Sequence, residues 1–363
     1  MNVSRNNIDN LNAVISIELK KEDYLPMVDK AIVNAKNNAV IKGFRKGHVP
    51  VGIIKKMYGN SILLEELNKI VSEALNKHVE DEKLEMLGRP LPKPSTSFDF
   101  DINHPADVTF EYEIGLAPEV KVTSLNKNTK IAKNVITIDD KTLQDEIEKL
   151  SERHGKLLNP ERTEGEKPEY EKAELNQELF DKVYGPGLVN SEEEFKEKIK
   201  KELKDYAEKS AENKFKEDLY LSLMENTEVN LPDAFLKKFI KATNEKPIED
   251  AQIEQEYPQF EKGLKWSLIS SAIAKENDLK VEFEDVKNFS KEQLKAQFMM
   301  YGGGLTDEMI ESFNDNMMSK EDHVKKSYEG ALEQKLFTFI ENQVVAEEKP
   351  TTFDEFFNKK TDV

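Results

Sequence analysis

The chain of 363 residues contains no cysteine, so neither disulfides nor thiolate chemistry can contribute to its fold or its function. Long uncharged apolar runs are missing as well. No stretch approaches the roughly 20 residues that a membrane span needs. The opening MNVSRNNIDN lacks the apolar segment of a secretory leader. These absences predict a cytoplasmic chain with no membrane partner. Aromatics are scarce, at 8 %, against 34 % charged residues and a mean hydropathy of -0.68. Such polarity suits long amphipathic helices with much surface and little core. Nucleotide cradles are missing too: there is no GxGxxG and no GxxxxGK[ST], and Gly302-Gly303-Gly304 lacks the following Lys-Ser/Thr and reads as a turn between helices. His48, His78, His104, His154 and His323 are scattered, with no HExxH, so neither metal nor cofactor is expected. Carboxylates abound, but on polar helix faces they read as solvated, and spacing nominates no catalytic group.

What is present is uneven charge. The net charge is -18, yet Lys30 to Leu64 holds Lys30, Lys36, Lys42, Arg45, Lys46, Lys55 and Lys56 and no acidic residue. Up to Glu113 there are 15 basic and 17 acidic residues, which leaves 38 basic and 54 acidic for the remainder. A near-neutral head (net -2) is therefore joined to a strongly acidic body (net -16), and any nucleic-acid contact belongs to the head. Within the basic stretch lies Gly43-Phe44-Arg45-Lys46-Gly47-His48-Val49-Pro50. The two glycines permit a tight projecting loop and Pro50 fixes its exit. Phe44, Arg45 and Lys46 would then face a polyanionic or acidic partner. The competing reading, an ordinary loop whose Phe44 packs back on its own domain, stands beside it at this stage.

Patterning organises the rest as α+β, multidomain and elongated. Val14–Leu19 alternates like a strand, and a helix is expected from about Asp23 to Asn38. A short helix over Val51–Tyr58, a break at Gly59-Asn60, a longer helix over Ile62–Val79 and a closing strand at Val108–Ile114 complete an antiparallel sheet with helices on one face. Lys121–Ile138 reads as extended, Asp139–His154 as a helix and Leu157–Ala173 as a polar linker. Ser191-x-x-Glu194 is a capping box opening a long helix with Phe195, Ile199, Leu203, Tyr206, Phe215 and Leu219 on one face. Helical patterns follow from Leu231-Pro232 onward, at about 250–275, 283–301, 307–318 and 320–345. Thr352-Phe353-Asp354-Glu355 repeats the capping-box pattern.

Half of the ten methionines fall within twenty residues: Met299, Met300, Met309, Met317 and Met318, beside Phe298, Tyr301 and Phe313. Methionine is flexible and polarizable and suits surfaces that accept many apolar partners. Gap-filling core is the bland alternative, but a hairpin tip has little core to fill.

The order strand, helix, GFRKGHVP, then a helix ending in Met57-Tyr58-Gly59, closely resembles the ribosome-binding domain of bacterial trigger factor. The resemblance continues through Ile114–Val122, Leu175–Gly185, Val229–Lys238 and Thr351–Phe357. It implies a ribosome-binding α/β domain at 1–113, a linker at 114–156, a connector at 157–175, a helical substrate-binding domain at 176–345 and a tail at 346–363. It assigns Gly43, Phe44, Arg45, Lys46, Gly47, His48 and Pro50 to ribosome binding. Phe298, Met299, Met300, Tyr301, Met309, Phe313, Met317 and Met318 would be an arm tip that meets substrate. The implied partners are the large ribosomal subunit, through an exit-tunnel protein and adjacent rRNA, and nascent or unfolded polypeptides, with self-association when free. The implied activity is ATP-independent shielding of emerging chains. The family's FKBP-like prolyl isomerase would enter after His154-Gly155-Lys156 and return at Ala173-Glu174-Leu175. About sixteen residues lie between, whereas a folding domain needs at least about 50. The chain as given is therefore expected not to be an enzyme. The alternatives are an isomerase whose catalytic domain is omitted from these residues and a free holdase similar to the periplasmic chaperone SurA.

Overall fold

The computed structural model describes residues 1–93, 101–157, 170–300 and 306–358, the side chains of Leu157, Tyr170 and Met300 excepted. Two compact units result, one of residues 1–120 with 229–267, the other of 121–228 with 268–363.

The first unit is built on strands β1 (Asn2–Asn7), β2 (Asn12–Leu19), β3 (Leu91–Pro92) and β4 (Val108–Gly115), in the antiparallel order β1-β2-β4-β3. Alternation in β2 sends Ala13, Ile15, Ile17 and Leu19 to the core, as a two-residue period requires. They meet Tyr24, Val28 and Ile32 of α1 (Lys21–Asn38) and Leu63, Leu67, Ile70, Val71, Ala74 and Leu75 of α2 (Val51–Asp81). Strand β1 was not legible in MNVSRNNIDN, because its side chains are mostly exposed and carry no apolar alternation. It is held by ladder pairing from Asn2↔Glu18 to Asn7↔Ala13.

The expected break at Gly59-Asn60 does not occur: α2 runs unbroken for 31 residues. Gly59 is buried under Ile102, whose Cγ2 lies 2.9 Å from where a Cβ would stand, and Asn60 accepts a hydrogen bond from the Ile102 amide at 3.0 Å. The pair is a socket for the neighbouring segment rather than a turn. The same unit takes in α6 (Asp233–Thr243) and the first part of α7 (Asp250–Glu276). Phe235 and Phe239 of α6 seat over Gly115 and Gly88, and Lys238 pairs with Glu113 at 2.7 Å. The Tyr257 hydroxyl donates to Asp233 at 2.6 Å; burial and that carboxylate push its pKa upward.

In the second unit, β5 (Lys130–Thr137) pairs in parallel with β8 (Val345–Thr352), which gives the extended connector its partner. Asp139 caps α3 (Asp140–Arg153), and Asn176 caps α4 (Gln177–Tyr184). Ile147, Leu179, Phe180, Val189, Phe195 and Ile199 form the local core, with Phe180 and Phe195 stacked at 4.6 Å. The long helix α5 (Glu192–Asn226) starts where the capping pattern placed it, with Ser191 Oγ accepting from the Glu194 amide. Its buried face carries the expected Phe195, Ile199, Phe215 and Leu219 together with Ala207 and Ala211, with one exception: Tyr206 is 58 % exposed and stacks on Phe357. Phe357 belongs to α11 (Phe353–Phe357), opened by the Thr352/Glu355 capping box. Between α3 and α4, β6 (Lys156–Leu157) and β7 (Tyr170–Glu171) pair antiparallel. The helix α8 (Phe283–Met300) packs against both α9 (Asp307–Met317) and α10 (Glu321–Gln343). None of the described helices is long and apolar enough to cross a membrane.

Candidate functional site

Two hydrogen-bonded turns in succession build the basic loop. The Phe44 amide donates to Ile41 O at 3.0 Å and the His48 amide to Arg45 O at 2.9 Å. Gly43 (φ +96°) and Gly47 (φ +82°) occupy the third position of each turn. A positive φ there, with Lys42 and Lys46 in the ordinary region before it, defines two type II turns, which take glycine at that position. Val49 is fully buried and anchors the loop exit, and Pro50 is the N-cap residue of α2. Between these fixed points Phe44 is 40 % exposed, and Arg45, Lys46 and His48 are exposed. The loop thus presents an aromatic ring that its own domain covers only in part.

The cations around it are largely uncommitted. Lys55 pairs with Asp29 at 3.3 Å, but among the described residues Lys30, Lys36, Lys42, Arg45, Lys46 and Lys56 have no ion pair. Sequence reasoning missed several neighbours of this surface: Val40, Val51, Met57 and Tyr58 are apolar yet exposed. For Val51, Met57 and Tyr58 the available signal was their position off the buried face of α2, which runs through Ile54, Gly59, Leu63 and Leu67. A cavity of about 640 Å³ opens there, lined by Lys55, Lys56, Met57, Asn60 and Asn103 among others.

The methionine-rich region forms a second surface, at the α8–α9 hairpin. Helix α9 shows three faces. Ile310 and Asn314 are buried, and the Asn314 amide donates to Lys287 O at 3.0 Å. Asp307, Glu311 and Asp315 form an ionic ladder with α8: Lys287 reaches Glu311 (2.9 Å) and Asp315 (3.0 Å), Lys291 reaches Glu311, and Lys295 reaches Asp307 (3.7 Å). Hydrogen bonds from Lys291 and Lys287 hold the Glu311 carboxyl down to about 2, and the same contacts raise the Lys287 ammonium. The third face is the stripe Met309, Phe313, Met317, spaced four apart and hence aligned. Met309 (48 %) and Phe313 (52 %) are exposed, and Phe313 meets Phe298 edge-on at 5.6 Å. Met299, at the end of α8, is 75 % exposed, whereas Met317 and Met318 are half-buried. The Met300 side chain and Tyr301, like the glycines at 302–304, lie outside the described residues.

Comparison with known proteins fixes the class first: the matches are to ribosome-associated molecular chaperones of protein folding. A model described as bacterial trigger factor protein matches residues 1–150, and one described as probable trigger factor, C-terminal domain, matches residues 211–360. The trigger factor of Chlorobium limicola is 23 % identical over 424 residues, covering 93 % of this chain and 95 % of the relative. That of Chlorobaculum parvum is 23 % identical over 377 residues, covering 80 % and 86 %. That of Prosthecochloris aestuarii reaches 31 % over 153 residues, covering 42 % and 34 %. A solved structure of the trigger factor chaperone, reported for promiscuous substrate recognition in folding and assembly, shares the fold at a TM-score of 0.55 and 16 % identity, covering 94 % of this chain and 99 % of that one. The chain belongs to the trigger factor family.

Proposed function

We propose that this ribosome-associated chaperone docks beside the polypeptide exit tunnel through Gly43, Phe44, Arg45, Lys46, Gly47, His48 and Pro50, in the cytoplasm. The partners are an acidic surface of a large-subunit protein and adjacent rRNA phosphates. The observation that carries this is the pair of glycine-centred turns that leave Phe44 partly exposed beside two exposed, unpaired cations. Burying Phe44 in a partner pocket contributes roughly 1.5–3 kcal/mol, and Arg45 is able to grip carboxylate or phosphate with two parallel hydrogen bonds. With Phe44→Ala, Arg45→Ala and Lys46→Ala combined, ribosome co-sedimentation is lost while the circular dichroism spectrum is kept. Undiminished co-sedimentation would sink the docking assignment.

The 176–345 region shields emerging chains without ATP, and the stripe of Met299, Met309, Phe313 and Met317 with Phe298 is one surface that does so. Exposed apolar patches of this kind mark interaction sites.

The chain as given acts without an isomerase domain. The pairing of Lys156 with Glu171 and Leu157 with Tyr170 brings the two ends of the connector into one hairpin ladder, with twelve residues between Leu157 and Tyr170. That is far below the about 50 residues of an independent domain. Gly155 allows the close approach of these ends, since a Cβ there would stand 2.1 Å from Glu171 O. The intact mass of the protein and an assay of proline-limited refolding test it: a mass of 41.7 kDa and an uncatalysed refolding rate are expected.

A further inference from the structure

We propose that the α8–α9 methionines form an oxidation-sensitive client surface, on which conversion of Met299, Met309 and Met317 to sulfoxides releases bound polypeptide. The inference rests on the reading of that stripe as a client surface and adds its regulation.

Three observations converge. First, the chain has no cysteine, so methionine carries all of its sulfur chemistry. Thioether oxidation is governed by exposure rather than by titration. Second, the sulfur-bearing stripe is a largely exposed face of α9, touching α8 through the Phe313–Phe298 ring contact. The buried face (Ile310, Asn314) and the ionic face (Asp307, Glu311, Asp315) contain no sulfur. Oxidation therefore changes the outer face and leaves the contacts that hold α9 on α8. Third, Lys320 Nζ lies 3.7 Å from Met317 Sδ. A sulfoxide oxygen at Met317 would accept a charge-assisted hydrogen bond from that ammonium, which favours the oxidised side chain in a position turned to its own helix end.

The co-reactant is a hydroperoxide. The thioether lone pair attacks the distal oxygen of hydrogen peroxide and the O–O bond breaks. One proton passes to the departing hydroxide, so the products are one sulfoxide and one water. Sulfur is oxidised by two electrons and peroxide is reduced. A dithiol-driven reductase reverses the step, giving thioether, disulfide and water. The sulfoxide is polar and a strong acceptor, so a side chain that gripped apolar clients by dispersion now favours water.

The test treats the full chain with hydrogen peroxide, maps added oxygen by peptide mass spectrometry and measures suppression of aggregation of reduced, unfolded lysozyme. Met299 should oxidise first, Met309 together with the similarly exposed Met1, Met27 and Met57, and the partly buried Met317 afterwards with Met86 and Met224. The chaperone concentration for half-suppression should rise roughly tenfold, as loss of a buried apolar side chain implies, with helicity unchanged. Methionine sulfoxide reductase with dithiothreitol should restore the starting value. A variant with Met299→Leu, Met309→Leu, Met317→Leu and Met318→Leu has its own untreated level, and peroxide should leave that level where it stands. Oxidation at these positions with unchanged suppression, or an equal peroxide-induced loss in the Leu variant, overturns the switch. The double variant Met309→Asp and Phe313→Asp separates the two claims. If it loses suppression while the sulfoxide form does not, only the switch fails; if it retains full suppression, the client surface fails and takes the switch with it.

Discussion

Single residues with no side chain determine the packing of the first unit. A Cβ on Gly115 would stand 2.5 Å from Phe235 Cδ1 and 3.0 Å from Pro232 Cγ. Phe235 is buried and Pro232 is rigid, so neither yields easily. Replacing glycine by alanine in a strand ordinarily gains up to about 1 kcal/mol by reducing the freedom of the unfolded chain, whereas forcing a methyl into a filled site costs about 1–3 kcal/mol. Overpacking wins here. Gly115→Ala should lower stability by about 1–2 kcal/mol, seen as a reduced urea midpoint at unchanged slope; an increased midpoint would show that Phe235 swings away freely. Gly59 carries the lesson for reading sequence. A Gly-Asn pair ordinarily signals a turn, and that local rule lost to Ile102, which needs the missing Cβ and the Asn60 acceptor. The two loop glycines were legible because both signals, turn chemistry and flanking cations, agreed.

At the scale of an element, α9 depends on charge because it has little to bury. Only Ile310 and Asn314 are buried, and the ladder to Lys287, Lys291 and Lys295 supplies the rest of its attachment. The Glu311 carboxyl titrates at about 2 in the folded hairpin because Lys291 and Lys287 favour its charged form. Its folded pKa lies below that of an unfolded glutamate, roughly 4.3. Its contribution is thus complete above the unfolded value and is lost as pH falls through that window toward about 2. The protection factors of α9 amides, exchange rates divided into the intrinsic rate at each pH, should fall between about pH 4.3 and pH 2, while those of α5 amides hold. Glu311→Gln should remove most of that pH dependence, and 1 M salt should reduce it. Helices such as α9 and α10 were legible from apolar spacing, whereas the Thr306 cap of α9, accepting from the Met309 amide, was not read from the sequence. The β5–β8 pair was not. Its partners lie more than 200 positions apart, and β8 is mostly exposed, so no local pattern announces it.

Across the whole molecule the charge is unevenly divided. Residues up to Glu113 sum to -2 and the remainder to -16, while unpaired cations gather around one loop of the head. Attraction to a polyanionic partner therefore comes from few groups, and the rest of the chain opposes it. With two or three cations engaging phosphates, counterion release predicts that affinity for ribosomes falls roughly 10- to 40-fold between 50 and 200 mM salt. A protein that bound rRNA along a broad basic face would lose far more. The acidic remainder acts in the other direction, since its repulsion is strongest at low salt, so the measured slope should lie at the shallow end of that range. Arg45→Ala should reduce the slope by about one contact, whereas Phe44→Ala should lower affinity at every salt concentration and leave the slope as it was. If Phe44→Ala flattened the slope, or Arg45→Ala left it untouched, the division of the loop into an apolar anchor and an ionic grip would be wrong.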